Sequence, residues 1–289
     1  MVGLLIVSLI WAFSFGLIKN TLTGIDSNFV AAARLALAFL VFLPFLRLKG
    51  LRRSTWLRLM IVGAFQFGFM YVAYQYAFQF LKAYEVALFT IFTPLYVTLV
   101  NDIFKKQVNW IHLGTTVLAI VGTAVVKGAG IQSVLLTGFL LVQASNICFA
   151  FGQVYYKKVM EEYPQVKDVS IIAMPYLGGI IVTGITSAVL TQWDKVVLSP
   201  TQGFTLIYLG LIASGFSFFL WNASARKVDT GTLAIFNDLK IPLAVSVSLI
   251  FFGEQTNLLN LLIGGAIILA ALWLNEWAGR RRTLVPKPA

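Results

Sequence analysis

The residues best suited to chemistry in this chain are Asn237, Asp238 and Lys240, near the middle of an apolar run over 232–252 and just ahead of Pro242. At the centre of a bilayer a charge costs roughly 3 kcal/mol or more unless it is paired or wet. Proline has no N–H, so Pro242 deprives the carbonyl of Asp238 of its helical partner. A cation, an acid, an amide and a freed carbonyl at one depth are groups that could hold a charged ligand or pass a proton. The structural alternative pairs Asp238 with Lys240 or with Arg34, a basic residue well inside another run. Residues two apart on a helix point about 200° apart, which disfavours the first of these pairs. Asp238 and Arg34 are also candidates for charge coupling.

Pro94 repeats the device in an earlier run by freeing the carbonyl of Thr90. Paired helix breaks in two halves of a membrane chain mark a carrier's binding site; a kink needed only for packing is the alternative. Gln143, Asn146, Ala150 and Gln153 share one helical face, as do Ser214, Ser217 and Trp221. Amides on one face line a cavity or join helices by hydrogen bonds. Trp11, Gln66, Tyr71, Tyr74, Gln75 and Tyr96 would add an aromatic, amphipathic wall. Glu85 could relay protons or cap a helix. His112, the single histidine, stands at a run boundary, and without a second histidine or a Cys/His cluster no metal site or cofactor is proposed.

These residues need elements to hold them, and the composition names the kind. The 289 residues are 59% hydrophobic and 11% charged, with mean hydropathy +0.85. Soluble domains carry roughly twice that charge. Apolar runs recur at 4–18, 29–46, 57–81, 85–100, 110–126, 134–156, 169–190, 203–223, 232–252 and 258–277, separated by short polar connections. Each approaches the roughly 20 residues a spanning helix needs and far exceeds a barrel strand. The first run has no basic leader and reads as a retained helix. The single cysteine, Cys148, lies within a run.

Sorting Lys and Arg by alternate connections leaves Lys19, Lys82, Lys127 and Lys195 on one side. The rest of the 22, Arg34 and Lys240 apart, fall on the other. By the positive-inside rule both termini are cytoplasmic. The same asymmetry accounts for a net charge of +11 without a nucleic-acid partner. Trp56, Trp110, Trp193 and Trp277 sit at run boundaries, where interfacial aromatics belong.

The second half repeats the first. Phe15-Gly16 falls on Phe151-Gly152, Gly63 on Gly210, Ala77 on Ala223, Pro94-Leu95 on Pro242-Leu243 and Gly114 on Gly264, all in chain order. Five helices is an odd number, so the copies insert in opposite orientations, as in carriers that alternate access. The expected fold is all-α and integral to the membrane: ten transmembrane helices as two inverted five-helix repeats. These are residues 1–130 and 131–279, followed by a basic tail over 280–289.

The repeat unit reads Thr93-Pro94-Leu95 and Leu113-Gly114 in one copy. In the other it reads Ile241-Pro242-Leu243, Phe252-Gly253-Glu254 and Leu262-Ile263-Gly264-Gly265. This pattern resembles the EamA-type members of the drug/metabolite transporter superfamily over essentially the whole chain. It departs from them at the first copy's turn, where Lys105-Lys106 replaces the glutamate. The resemblance implies a carrier whose central cavity is lined by the first, third, fourth, sixth, eighth and ninth helices. It further implies export or exchange of amino acids and similar metabolites across a bacterial inner membrane.

An intramembrane enzyme lacks a nucleophile with a base at depth, a channel lacks filter rings, and no phosphate-binding loop is present. The expected substrate is an aromatic or apolar amino acid, with another anionic or nucleoside-like metabolite as the alternative. The expected partners are that small molecule and the lipid bilayer, with the protein acting as a monomer. Cysteines introduced at Ser27 and Ser54 should be labelled by an impermeant thiol reagent from opposite sides of the membrane. Labelling from one side would end the ten-helix arrangement.

Overall fold

The computed structural model describes residues 2–106, 133–228 and 230–255, with isolated positions between 259 and 274. The expected helix over 110–126 with His112, most of the run 258–277, the boundary near 130 and the tail 280–289 lie outside the described residues.

Every long element described is a helix, and there is no strand among the described residues. In chain order they are α1 (Val2–Thr21), α2 (Ser27–Phe42), α3 (Arg53–Ala77), α4 (Ala83–Phe104), α5 (Ser133–Glu161), α6 (Ala173–Leu190), α7 (Pro200–Ala225) and α8 (Thr230–Phe251). The described residues contain seven helices long and apolar enough to cross a membrane, the first seven of these. α5 to α8 correspond to the sixth to ninth runs of the sequence.

Local chemistry sets the helix ends. Asp26 caps α2 by accepting from the N–H groups of Asn28 and Phe29. Ser199 and Gln202 cap each other's backbone at the start of α7, with Pro200 in the first turn. Along α1, Leu5, Leu9 and Phe13 form an exposed stripe while Leu4, Val7, Trp11 and Phe15 are buried. Ile181, Ile185 and Val189 form a similar stripe on α6. Apolar surface of this extent on several helices is what hydrocarbon covers.

Three helices depart from regular α geometry. α3 contains a π-helical segment at Ala64–Phe69 and α7 another at Leu209–Phe216. α4 is interrupted by a 3₁₀ turn at Thr90–Phe92. Pro94 then stands in the first turn of its second part, where a missing N–H costs least. α8, in contrast, runs unbroken through Pro242, whose ring is exposed. The expectation of matching breaks is therefore corrected: only Pro94 adjoins one.

Connections sorted to the same side by charge meet in space. At one end the Arg47 N–H donates to the Ser170 carbonyl, Arg58 pairs with Glu162 at 2.7 Å and Arg226 with Asp168 at 2.8 Å. At the other, Thr191 donates to Asp26 and the Lys19 ammonium to the Phe78 carbonyl. The Glu254 carboxylate there accepts from the N–H groups of Ala83 and Tyr84. Glu85 completes that cap by accepting from Lys82 N–H at 2.9 Å, the capping role that the sequence offered beside a proton relay.

Close packing fixes α3 against α6. A Cβ on Gly63 would lie 1.6 Å from the Pro175 carbonyl oxygen, and one on Gly178 2.0 Å from that of Met60. Such small-residue contacts are the main cohesion between helices in lipid. Gly63→Val should abolish the monodisperse species in size-exclusion chromatography. Gly184→Ala, where a Cβ meets nothing within 4 Å, should leave it intact. Equal yields would contradict the α3–α6 contact.

Candidate functional site

A cavity lies where seven helices converge. α1 contributes Trp11, Ser14 and Phe15, α2 contributes Arg34, and α3 contributes Met70, Tyr71 and Tyr74. Thr90 and Thr93 come from α4, Ser145, Asn146 and Phe149 from α5, Phe218 from α7 and Lys240 from α8. Six of the fourteen lining residues are aromatic; both charged groups are cations, and no carboxylate is among the lining residues.

Arg34 is 3% exposed and held by neutral groups. Its Nε donates to Ser214 Oγ at 3.1 Å and its Nη2 to Tyr71 OH at 3.2 Å, and its guanidinium lies 4.7 Å from the centre of the Tyr71 ring. Tyr71 OH in turn donates to Ser214 Oγ at 2.7 Å. Ser214 belongs to the π segment of α7 and donates to the Leu209 carbonyl five residues back. The looser turn leaves carbonyls for other helices. Trp11 Nε1 donates to Ala213 O at 2.9 Å, and Tyr176 OH reaches the carbonyls of Ser214 and Gly215 at 2.9 and 2.7 Å. Arg34 Nη1 is buried without a hydrogen-bond partner. Among the described residues it has no acceptor, and Arg34 lines the cavity, so it is a positive donor available to a ligand or to water.

Lys240, buried in α8, presents Nζ to two ring faces, 5.4 Å from the centre of Trp11 and 5.8 Å from that of Phe149. Trp221, fully buried, packs on Trp11 at 5.1 Å and donates to Gln153 Oε1. Among the described residues no salt bridge is seen from Arg34 or Lys240 to a carboxylate, and Asp238 acts on the Lys240 ammonium only as a nearby attracting charge. Cation–π contact supplies about 0.5–2 kcal/mol, whereas burying an ion costs several, so the rings do not offset the charge alone.

The amides of α5 serve the break in α4. Asn146 Nδ2 donates to the Phe89 carbonyl at 2.8 Å and Gln143 Nε2 at 3.4 Å, ahead of the 3₁₀ turn. The Thr90 carbonyl, which Pro94 leaves free, accepts from Thr93 Oγ1 at 2.6 Å. Tyr96 OH donates to Gln143 Oε1. Asn146 also faces the cavity, whereas Gln143 and Tyr96 do not line it.

Of the residues expected at the site, the cavity thus gathers Trp11, Arg34, Tyr71, Tyr74, Thr90, Asn146 and Lys240. Gln66 instead exchanges hydrogen bonds with Asn222 at 2.9 and 3.4 Å. Ser214 and Trp221 stand behind the wall, Ser217 is buried elsewhere on α7, and Asn237 and Asp238 leave the lining of α8 to Lys240. Gln75 lines a different cavity. Ser14, Phe15, Met70, Thr93, Ser145, Phe149 and Phe218 were not anticipated. The sequence held signals for several of them: Ser14 and Phe15 lie one turn from Trp11, Thr93 one turn from Thr90, and Phe149 one turn from Asn146.

The model of the EamA-like transporter family matches residues 1–127 and again 136–276. The chain belongs to the EamA-like transporter family. As an EamA-like chain it is 38% identical over 281 residues to the biotin transporter of Salmonella typhimurium (strain LT2), covering 96% of this chain and 94% of that one. It is 23% identical to the "Probable amino-acid metabolite efflux pump" of Escherichia coli (strain K12), covering 97% and 96%. A solved structure titled "Crystal structure of protein" superimposes with a TM-score of 0.68 at 16% identity, covering 97% of this chain and 98% of that one. The EamA-like cavity uses the six helices the resemblance implied and adds α2 through Arg34. The expectation of an amino-acid substrate draws no support from the nearer relative.

Tyr176→Phe removes the one hydroxyl that serves two carbonyls of the α7 π segment, at a cost of about 1–3 kcal/mol for groups left unsatisfied. The purified variant should unfold at a temperature lower by a few degrees, read by intrinsic fluorescence. An unchanged transition would show that the π segment does not need that donor.

Proposed function

We propose that the chain is a secondary, alternating-access transporter of a small amphipathic carboxylate of the biotin type. The observation that carries this reading is the cavity's charge: Arg34 and Lys240 against no lining carboxylate. A second cation 4 Å from either would cost about 4 kcal/mol at an effective dielectric of 20, so an amino acid's ammonium finds no favourable seat. A ligand with one carboxylate, an apolar body and a polar uncharged head meets each wall in kind. Arg34 and Lys240 would take the carboxylate, Trp11, Phe149 and Phe218 the body, and Thr90, Thr93 and Asn146 the head. The nearly full-length likeness to a biotin transporter supports the same class.

The carrier works in this reading as ten helices in two inverted repeats, 1–130 and 131–279, with both termini and the tail 280–289 in the cytoplasm. It acts as a monomer in a bacterial inner membrane. Two matches to one family model support the duplication. So do the π segments of α3 and α7, which begin beside Gly63 and Gly210, residues equivalent by the internal repeat. π segments recur at functional sites because their carbonyls can change partners, which suits the helices that must move.

Purified protein in liposomes should transport radiolabelled biotin. Lys240→Met and Arg34→Met should each remain monodisperse while weakening binding roughly 30-fold or more, the equivalent of about 2 kcal/mol for a buried charge pair losing one partner. Biotin affinity unchanged in both variants would defeat the reading.

A further inference from the structure

A second cavity lies toward the end of the bundle that holds the α1–α2 turn. Three helices each place one residue on the central cavity and another, one turn away, on this one: Phe15 and Ile18 on α1, Arg34 and Val30 on α2, Tyr74 and Phe78 on α3. At 1.5 Å per residue the two cavities are stacked along the helix axes about 5–6 Å apart at their walls. The layer between them is aromatic. Tyr74 packs edge-on against Phe15 at 5.9 Å and against Phe78 at 5.1 Å.

The second cavity is chemically equipped. Gln75 lines it, is 3% exposed, and has neither Nε2 nor Oε1 in a hydrogen bond among the described residues. Leaving a buried polar atom unsatisfied is costly, and here both ends of one amide carry that cost. An amide offers a donor and an acceptor side by side, the complement of a urea or amide group. Lys19 also lines the cavity and uses one of its three N–H groups on the Phe78 carbonyl at 2.7 Å, leaving two for an anion.

We propose that this cavity is a second substrate station. It takes the same amphipathic carboxylate, with Gln75 on a urea- or amide-type head and Lys19 on the carboxylate, and the Tyr74 ring is the partition the ligand crosses to reach Arg34 and Lys240. The proposal rests on the reading of the central cavity given above.

Equilibrium dialysis of radiolabelled biotin against the purified full chain tests it. The wild type should bind two equivalents. Gln75→Leu should bind one, with the affinity of that remaining site changed by less than about twofold and transport at subsaturating biotin slowed about tenfold. Thr23→Trp, a change at an exposed turn residue that lines the same cavity, should give the same result by filling it. A single equivalent in the wild type, or two in both variants, would overturn the second station and leave the central site standing. No bound biotin in the wild type would overturn both.

Discussion

Arg34 has to be oriented inside the bundle without being neutralised. A carboxylate partner would hold the guanidinium firmly, but it would also cancel the charge that the cavity offers a ligand. Ser214 and Tyr71 supply direction at 3.1 and 3.2 Å with no net charge, so the positive field survives into the cavity. Neutral hydrogen bonds are each worth only about 1 kcal/mol net, less than the desolvation of an ion. In the proposed reading, an anionic substrate would offset the part of the desolvation cost that the neutral partners leave. Differential stabilisation of this kind is what lets a ligand shift a carrier between conformations.

The holders of that charge come from places where the helical ladder is loosened. A regular α-helix consumes its own carbonyls and has none to lend. The π segment of α7 turns carbonyls 213, 214 and 215 toward Trp11 and Tyr176 and brings Ser214 under Arg34. The 3₁₀ turn of α4 does the same for Phe89 and Thr90, whose carbonyls recruit Asn146, Gln143 and Thr93. Both irregularities are bound by side chains from other helices, so a change of packing there is felt at the cavity wall. The cap of α4, made by Glu254 from the other half of the chain, ties the same helix to the far end of the bundle.

Much of this was readable before any coordinates. Apolar runs located the spans because hydrocarbon leaves few other solutions, and Lys240 and Arg34 stood out because charges inside such runs are costly. Pro94 pointed to the break in α4, since a missing N–H is a local property. Pro242 misled for the complementary reason: whether a helix breaks at proline depends on what surrounds it, and α8 absorbs the ring at an exposed position. The π segments left no signal that residue types alone could carry. The amide stripe of α5 was visible as a stripe. Its division between cavity and α4 carbonyls depends on helix rotation, which a periodicity does not fix. The absence of a lining carboxylate, which bears on the substrate, is a property of seven converging helices and of no single segment.

The charge of the cavity is tested most directly from the ligand's side. Thermal-shift titration of the purified protein with biotin, with biotin amide and with an aromatic amino acid compares one carboxylate, none, and a carboxylate beside an ammonium. Because stabilisation follows RT ln(1 + [L]/Kd), the apparent affinities can be ranked from the shifts. The predicted result is binding of biotin at least roughly 100-fold tighter than of its amide, about 2.7 kcal/mol, with no shift from the amino acid. Equal shifts from biotin and its amide would contradict the account.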